Sequence, residues 1–292
     1  MITDTDIPGV LRLRMPMGTA VPLVFDSPHS GDLYPDDFGA VAQPAELRRA
    51  EDAFIDDLYG AAPDQGAPLL AALFPRLYID PNRAEADMDP AQLDGDWDGP
   101  GLAPGEKAKL GQGVVWTRRP PGLPLYPGKF PVAALRHRVE TYHRPYHRVL
   151  SQVLDEWMGR FGGYYHIDCH SMPSAANAMS PDPAGTLRPD FIIGSRDDTT
   201  CAPELTERVR AFLAGRGYDV WVNRLYKGVE IVNRYGDPAS GRHSLQIEIN
   251  RRLYMDEDKI VRGAHFDGVK TVIGELIADL RQFAEESPPG PK

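Results

Sequence analysis

The chain has 292 residues, of which 42% are hydrophobic and 25% charged, enough to bury a substantial core in one large domain or two small ones. A formal net charge of −10, with no long block of Lys or Arg, argues against a generic binder of nucleic acid or anionic membranes. No run approaches the roughly 20 apolar residues of a membrane span, and the acidic Met-Ile-Thr-Asp-Thr-Asp start precedes no signal-type segment, so a cytoplasmic protein is expected.

Apolar strand-like runs alternate with helical stretches in the order 21–25, 45–62, 69–79, 133–161, 164–169, 190–194, 204–216, 220–223, 245–249 and 263–286. That alternation predicts an α/β fold, a three-layer sandwich forming a single catalytic domain over 1–292. The central sheet is expected to be mixed, because 242–250 follows a Gly-containing turn rather than a helix.

The first run, Val21-Pro-Leu-Val-Phe-Asp-Ser-Pro-His-Ser-Gly, reads as a buried strand broken at Ser27-Pro28 that presents His29 at its carboxyl end, where open α/β sheets bind ligands. Asp32 follows three residues later in Gly31-Asp-Leu-Tyr-Pro, where a solvated turn is the competing reading. A helix beginning near Arg49 would face the core with Phe54, Leu58 and Ala61 and carry Glu51 and Asp52 in its first turns. Acidic groups there complement the helix dipole by about 0.3–1 kcal/mol, so spacing alone does not make either a ligand. Asn82 and Arg83 stand just beyond another expected strand end, after Leu77-Tyr-Ile-Asp-Pro. The planar fork of Arg83 suits a substrate carboxylate, with Asn82 as a neutral donor; a surface ion pair is the bland alternative.

Residues 84–128 are crowded with Pro, Gly and Asp and too poor in apolar periodicity for a packed layer, so they are expected to form a loop or partial active-site lid. His143 and His147 share a helix face, but Pro145 lies between them and no Glu follows the first, which excludes the His-Glu-x-x-His arrangement and leaves packing or substrate contact. In His166-Ile-Asp-Cys-His, strand alternation sends Ile167 and Cys169 to one face and His166, Asp168 and His170 to the other. Asp168 is placed to orient His170 as a hydrogen-bond acceptor. In Ser244-Leu-Gln-Ile-Glu-Ile-Asn, Gln246, Glu248 and Asn250 oppose an apolar set. Glu248 is then the general-base candidate, its flanking Ile residues implying a raised pKa, unless it is held in an ion pair with Arg242, Arg251 or Arg252. The last residues, about 286–292, cannot continue the preceding helix and are expected to fray.

With only Cys169 and Cys201, neither a disulfide framework nor a four-cysteine zinc site can form, so a bound metal would take His and carboxylate ligands. A catalytic zinc needs three protein ligands, which His29, His170 and an acidic residue would supply. The chain lacks the Gly-x-Ser-x-Gly elbow, the Gly-x-x-x-x-Gly-Lys loop and a dinucleotide Gly-x-Gly-x-x-Gly, weakening serine hydrolase, NTPase and dehydrogenase readings.

Ser27-Pro-His-Ser-Gly, Tyr78-Ile-Asp-Pro-Asn-Arg, Tyr142-His-Arg-Pro-Tyr-His, His166-Ile-Asp-Cys-His-Ser-Met-Pro-Ser, Asp190-Phe-Ile-Ile-Gly, Tyr226-Lys-Gly and Leu245-Gln-Ile-Glu-Ile-Asn-Arg-Arg-Leu-Tyr-Met-Asp-Glu occur in that order, and together they resemble the N-formylglutamate amidohydrolases over nearly the whole chain. The resemblance implies a fold akin to zinc carboxypeptidases and aspartoacylases. It also implies hydrolysis of N-formyl-L-glutamate to formate and L-glutamate in histidine degradation, with Zn²⁺ or another divalent cation. By matching motif it assigns His29 and His170 to the metal and Glu248 to catalysis, and it favours Asp52 as third ligand, with Glu51 and Asp32 as alternatives. Asn82 and Arg83 resemble the substrate-gripping Asn-Arg pair of aspartoacylases. Arg83 is expected also to stabilise the oxyanion, with Arg144, Arg234, Arg118 and Arg119 as further cations for the substrate carboxylates. The stretch Val222-Asn-Arg-Leu-Tyr-Lys departs from the Asn-x-Pro-Tyr pattern associated with the family, leaving Asn223 and Tyr226 unassigned. The expected partner is a small N-acyl amino acid. The alternatives are a zinc hydrolase of another N-acyl acidic amino acid and a non-catalytic binder of acidic ligands on the same fold.

Overall fold

The computed structural model describes residues 2–290 apart from residue 181. Its frame is an eight-stranded sheet of β1 (Thr5–Ile7), β2 (Leu11–Arg14), β3 (Leu23–Ser27), β4 (Leu69–Ala72), β5 (Tyr164–Met172), β6 (Phe191–Gly194), β7 (Val220–Val222) and β8 (Arg242–Asn250), in the order β1-β2-β4-β3-β5-β8-β6-β7. The central run β4-β3-β5-β8 is parallel, while β2 joins β4, and β6 joins β8, antiparallel. The sheet is therefore mixed, as the sequence predicts.

The two faces follow from strand alternation. Phe25, Ile167, Cys169, Leu245, Ile247 and Ile249 meet helices α2 (Pro203–Ala214) and α3 (Phe266–Glu286) through Leu205, Val209, Ile273, Leu276 and Leu280. Helix α1 (Arg144–Phe161) covers the other face, packing Leu150, Val153, Leu154 and Trp157 near Val24, Leu70, Leu11 and Leu13. That second face is polar along β5 and β8 yet equally buried: His166, Asp168, His170, Ser244, Gln246 and Glu248 all lie inside. Buried polar groups persist only when paired. His166 accordingly pairs Nδ1 with Ser244 Oγ at 2.8 Å and Nε2 with Asp26 Oδ1 at 2.9 Å, and Asp26 Oδ2 accepts from the Tyr146 hydroxyl of α1 at 2.7 Å.

Four expectations change. The helix expected over 45–62 is broken into Pro44–Arg48 and Ile55–Leu58, with Phe54 left-handed at φ 68°. Glu51 and Asp52 therefore occupy the connecting loop rather than a first helical turn, because the Asp52 N–H donates to the His29 carbonyl at 3.0 Å instead of to a helix. The run expected over 69–79 stops as a strand at Ala72, and a turn with Tyr78 N–H on the Pro75 carbonyl carries the chain to Asp80. Residues 84–128 hold only short pieces of regular structure, but Met88, Val114, Val115, Trp116, Leu125 and Tyr126 are buried in the core, so the segment packs although its periodicity is weak. The buried guanidinium of Arg138 clamps it, donating to the Tyr78 and Phe38 carbonyls and to the Tyr126 hydroxyl. Finally, α3 ends at Glu286, but Tyr165 OH donates to the Ser287 carbonyl at 2.9 Å and Pro289 is buried, so the tail docks through 290; its last two residues lie outside those described.

The helical stretch 133–161 is realised as Val132–Arg138, a π-helical turn Val139–His143, and α1. The wider turn sits just before Pro145, which has no N–H to return to the preceding turn. Among the described residues no helix is long and apolar enough to cross a membrane.

Gly31 shows how tightly the first strand end is seated. A Cβ there would fall 2.3 Å from the Leu73 carbonyl carbon and 2.4 Å from the Phe74 oxygen, both backbone atoms. Gly31→Ala must push the loop off residues 73–74, a clash of the overpacking kind that costs about 1–3 kcal/mol. The expected outcome is a thermal unfolding midpoint lowered by several degrees, together with reduced activity from displacement of nearby His29. An unchanged melt would refute the tight seating.

Candidate active site

The ends of β3 and β5 bring His29 and His170 together with ring centroids 4.7 Å apart, and Asp52 reaches between them from the loop before Ile55–Leu58. One ligand-type atom from each residue lies within 4.8 Å of the others, and all three residues are buried. The two imidazoles are arranged alike. His170 turns Nδ1 to Asp52 Oδ2 at 3.0 Å and Nε2 to Asp168 Oδ1 at 2.8 Å. His29 turns Nδ1 toward Asp52 Oδ2 at 3.4 Å and Nε2 to Asp80 Oδ1 at 2.7 Å. Each ring thus has a carboxylate behind it, the partner that orients metal-ligating histidines. Among the described residues His29 Nδ1 is buried without a hydrogen-bond partner, so one nitrogen of the cluster is unsatisfied. Two imidazole nitrogens and a carboxylate suit zinc, and the orphaned Nδ1 fits such an ion.

Charge around the cluster is ordered by arginines. Arg251 Nη2 donates to Asp52 Oδ1 at 2.9 Å, and Arg76 Nη2 to Asp80 Oδ2 at 2.9 Å. Burial opposes ionisation of Asp52, but the hydrogen bond from His170 and the proximity of His29 and Arg76 hold its carboxyl well below the usual range. Asp80 is likewise held low against burial by Arg76, His29 and Arg83.

Glu248 lies in register with His170 across the parallel β5–β8 pair. Its Oε1 accepts from Gln246 Nε2 at 2.8 Å. None of the arginines that compete for it in the sequence binds it: Arg242 goes to Asp237, Arg251 to Asp52 and Arg252 to Asp190. Burial raises its carboxyl to about 7, with His170 and Arg76 opposing the rise and Asp52 and Asp168 adding to it.

His29, Asp52, His170, Glu248 and Arg83 line one cavity of about 580 Å³, with Lys107, Gln112, Trp116, Pro120 and Pro121 of the 84–128 segment also in its wall. Asn82 donates Nδ2 to Asp168 Oδ2 at 3.3 Å and accepts the Ile231 N–H at 2.9 Å. Arg83 donates to the Gln112 and Asn82 carbonyls at 3.2 and 2.8 Å, and its charge is answered at longer range by Asp80 and by Asp87, whose Oδ2 lies 4.0 Å away. His143 and His147 hold this segment in place: their Nε2 atoms meet the Arg83 and Pro81 carbonyls, each at 2.9 Å. Burial lowers both histidines' pKa, keeping the rings neutral and able to donate one N–H each. Of their two readings, packing is the one observed.

Other sequence candidates fall elsewhere. Arg144 pairs with Glu85 and Arg234 lies 4.0 Å from Glu230, both largely exposed and outside the cavity, so the expectation that they anchor substrate is corrected. Their helical positions point them at carboxylates one turn away or across the surface. Arg118 bonds the Gly122 carbonyl and Arg119 pairs with Glu46 at 3.2 Å. Asp32 is exposed, and Glu51 is engaged by Tyr34 and Arg48. Asn223 is bound to Ser195, whereas Tyr226 borders the cavity. Sequence reasoning missed Arg76, Arg188 and Arg251 as cavity residues and Asp80 as the carboxylate behind His29. Only Asp80 had a signal, its place beside Asn82 and Arg83.

A buried cluster of two imidazoles and a carboxylate, beside a carboxyl group poised near neutrality at the carboxyl end of parallel strands, is the setting of a hydrolytic enzyme. The chain belongs to the N-formylglutamate amidohydrolase family, whose profile matches residues 21–255. It is 32% identical over 241 residues to the N-formylglutamate deformylase of Pseudomonas putida, covering 81% of this chain and 83% of that one. It is 30% identical over 273 residues to that of Pseudomonas aeruginosa, covering 91% and 95%. Among solved structures, N-formylglutamate amidohydrolase from Ralstonia eutropha JMP134 superposes with a TM-score of 0.89 at 44% identity, over 95% of this chain and 99% of that one. A gene product of Agrobacterium tumefaciens shares the fold at 18% identity, with a TM-score of 0.64 over 95% of each chain. The chain is therefore an amidohydrolase by family.

Proposed function

We propose that this enzyme hydrolyses N-formyl-L-glutamate to formate and L-glutamate, a step of histidine degradation, using a divalent cation held by His29, Asp52 and His170. The substrate rests on the names of its relatives. The observation that carries the chemistry is the buried, unpartnered His29 Nδ1 within a three-donor cluster beside Glu248. A divalent cation, when bound there, supplies Lewis-acid polarisation of the formyl carbonyl and acidifies water.

The chain's own residues do the rest. Glu248, with a carboxyl near 7, takes a proton from the attacking water and returns it to the leaving nitrogen. Asp80 and Asp168 keep both imidazoles turned so that Nδ1 faces Asp52. Arg83, whose direct hydrogen bonds go to neutral carbonyls, offers its positive charge to the oxyanion or the nearby α-carboxylate. Trp116, Pro120 and Pro121 line the cavity beside these groups.

The test is formate release from N-formyl-L-glutamate by protein as purified, after chelation, and after zinc is restored. Loss and recovery of turnover are expected; turnover indifferent to a chelator that demonstrably strips the protein of metal would refute the cation's role.

A further inference from the structure

Two of the guanidinium groups bordering the cavity are answered closely by carboxylates. Arg76 is paired with Asp80 and Arg251 with Asp52. Arg188 differs. It is 4% exposed, borders the cavity from the segment before β6, and has no carboxylate partner among the described residues. Its contacts are the Pro173 carbonyl 3.5 Å from Nη1, Ser180 Oγ 2.9 Å from Nη2 and the Tyr226 ring, 5.1 Å from its central carbon. Nε is buried with no hydrogen-bond partner among the described residues.

A guanidinium kept from water without an anion is unfavourable unless other groups satisfy it. Arg138 provides the internal comparison, since it too is buried without a carboxylate. Arg138, however, donates to two carbonyls and a hydroxyl, is ringed by Phe38, Tyr78, Tyr126 and Phe130, and does not border the cavity. Both leave Nε without a hydrogen bond, but Arg188 has fewer strong acceptors and borders the cavity, where a guanidinium suits a carboxylate.

Its position is also built in. Asn250 Nδ2 donates to the Arg188 and Pro189 carbonyls at 3.2 and 2.8 Å, and the Arg188 N–H goes to the Ser174 carbonyl at 3.0 Å. Asn250 follows Glu248 by two residues on the same face of β8, so one strand sets both the base and the root of this arginine.

We propose that Arg188 is a specificity-determining residue that holds the side-chain carboxylate of an N-acylated dicarboxylic amino acid. The assignment rests on the hydrolytic reading above. The choice of carboxylate follows from placement. Arg83 adjoins Asn82, which touches His170, and so serves the α-carboxylate close to the scissile nitrogen. Arg188 is tied instead to residues 173–180 and serves the carboxylate farther along the substrate.

The experiment compares wild type, Arg188→Gln and Arg188→Lys on N-formyl-L-glutamate and N-formyl-L-glutamine, and measures glutarate binding by calorimetry. In Arg188→Gln the ratio of kcat/KM for the glutamate over the glutamine substrate should fall at least about 30-fold, chiefly through KM, with partial recovery in the Lys variant. Glutarate should bind wild type and bind Arg188→Gln correspondingly weakly. An unchanged ratio, equal loss on both substrates, or equal glutarate binding by wild type and Arg188→Gln overturns the proposal. Because glutarate binding needs no turnover, wild type that binds glutarate through Arg188 yet releases no formate would fail the hydrolytic reading alone.

Discussion

Glu248→Gln is expected to retain substrate while slowing the chemical step at least about 10²-fold, the lower scale for losing a general acid–base group. The substitution is mild in shape. A Gln carbonyl oxygen can still accept the Gln246 N–H that now goes to Oε1, and no ion pair is broken because Glu248 has none among the described residues. What is lost is the ability to hold and release a proton. Burial brings the Glu248 carboxyl to about 7. A carboxyl raised by burial is ionised only above that value, so activity should fall as pH drops through the acid limb. A bound cation lowers the pKa of a neighbouring acid, so the limb of the loaded enzyme should lie at or below about 7. Single-turnover rates across pH, alongside equilibrium binding of substrate, separate the two effects. Wild-type turnover by the Gln variant would remove Glu248 from the mechanism.

How much of this could be read beforehand depends on whether the signal was local. The β5 and β8 faces were legible because period-2 alternation is a property of consecutive residues, and the parallel register of the two strands then sets Glu248 beside His170. His29 was legible because Ser27-Pro28 marks a strand break. Asp52 has no local signal of its own: spacing leaves it level with Glu51, and it reaches the histidines from a loop tied by its N–H to His29 where a helix is expected. The arginines were hardest. Arg251 and Arg76 reach Asp52 and Asp80 through tertiary folding, whereas Arg144 and Arg234 looked equally suitable in sequence and are drawn off by Glu85 and Glu230. A cation's partner depends on which carboxylate the fold brings near, and no spacing rule encodes that. The packed 84–128 segment was hidden for a related reason, since its buried residues meet the core through irregular backbone rather than at a helical or strand period.

Zinc content should depend on His29, His170 and Asp52 together, and the three substitutions should fail differently. His29→Ala removes an imidazole whose Nδ1 has no hydrogen bond in the protein alone, so the fold loses chiefly the Nε2–Asp80 contact while the cation loses a ligand. His170→Ala removes a ligand and also leaves Asp168, whose carboxyl burial already raises, without its main cationic neighbour. Asp52→Asn keeps the shape but discharges the carboxylate that answers Arg251, with Arg76 at 3.8 Å, so it should cost stability as well as metal. A ligand that binds only the folded state raises its unfolding temperature by an amount that grows with the logarithm of its concentration over its dissociation constant. Zinc should therefore raise the wild-type midpoint, with the rise nearly abolished in His29→Ala and His170→Ala. Asp80→Asn and Asp168→Asn, which leave His29, Asp52 and His170 in place, should retain part of it, with affinity reduced about 10–100-fold. Metal analysis and thermal unfolding both read this without any turnover. Full zinc occupancy in both alanine variants would mean that the ion sits elsewhere, and that the unsatisfied Nδ1 of His29 needs another explanation.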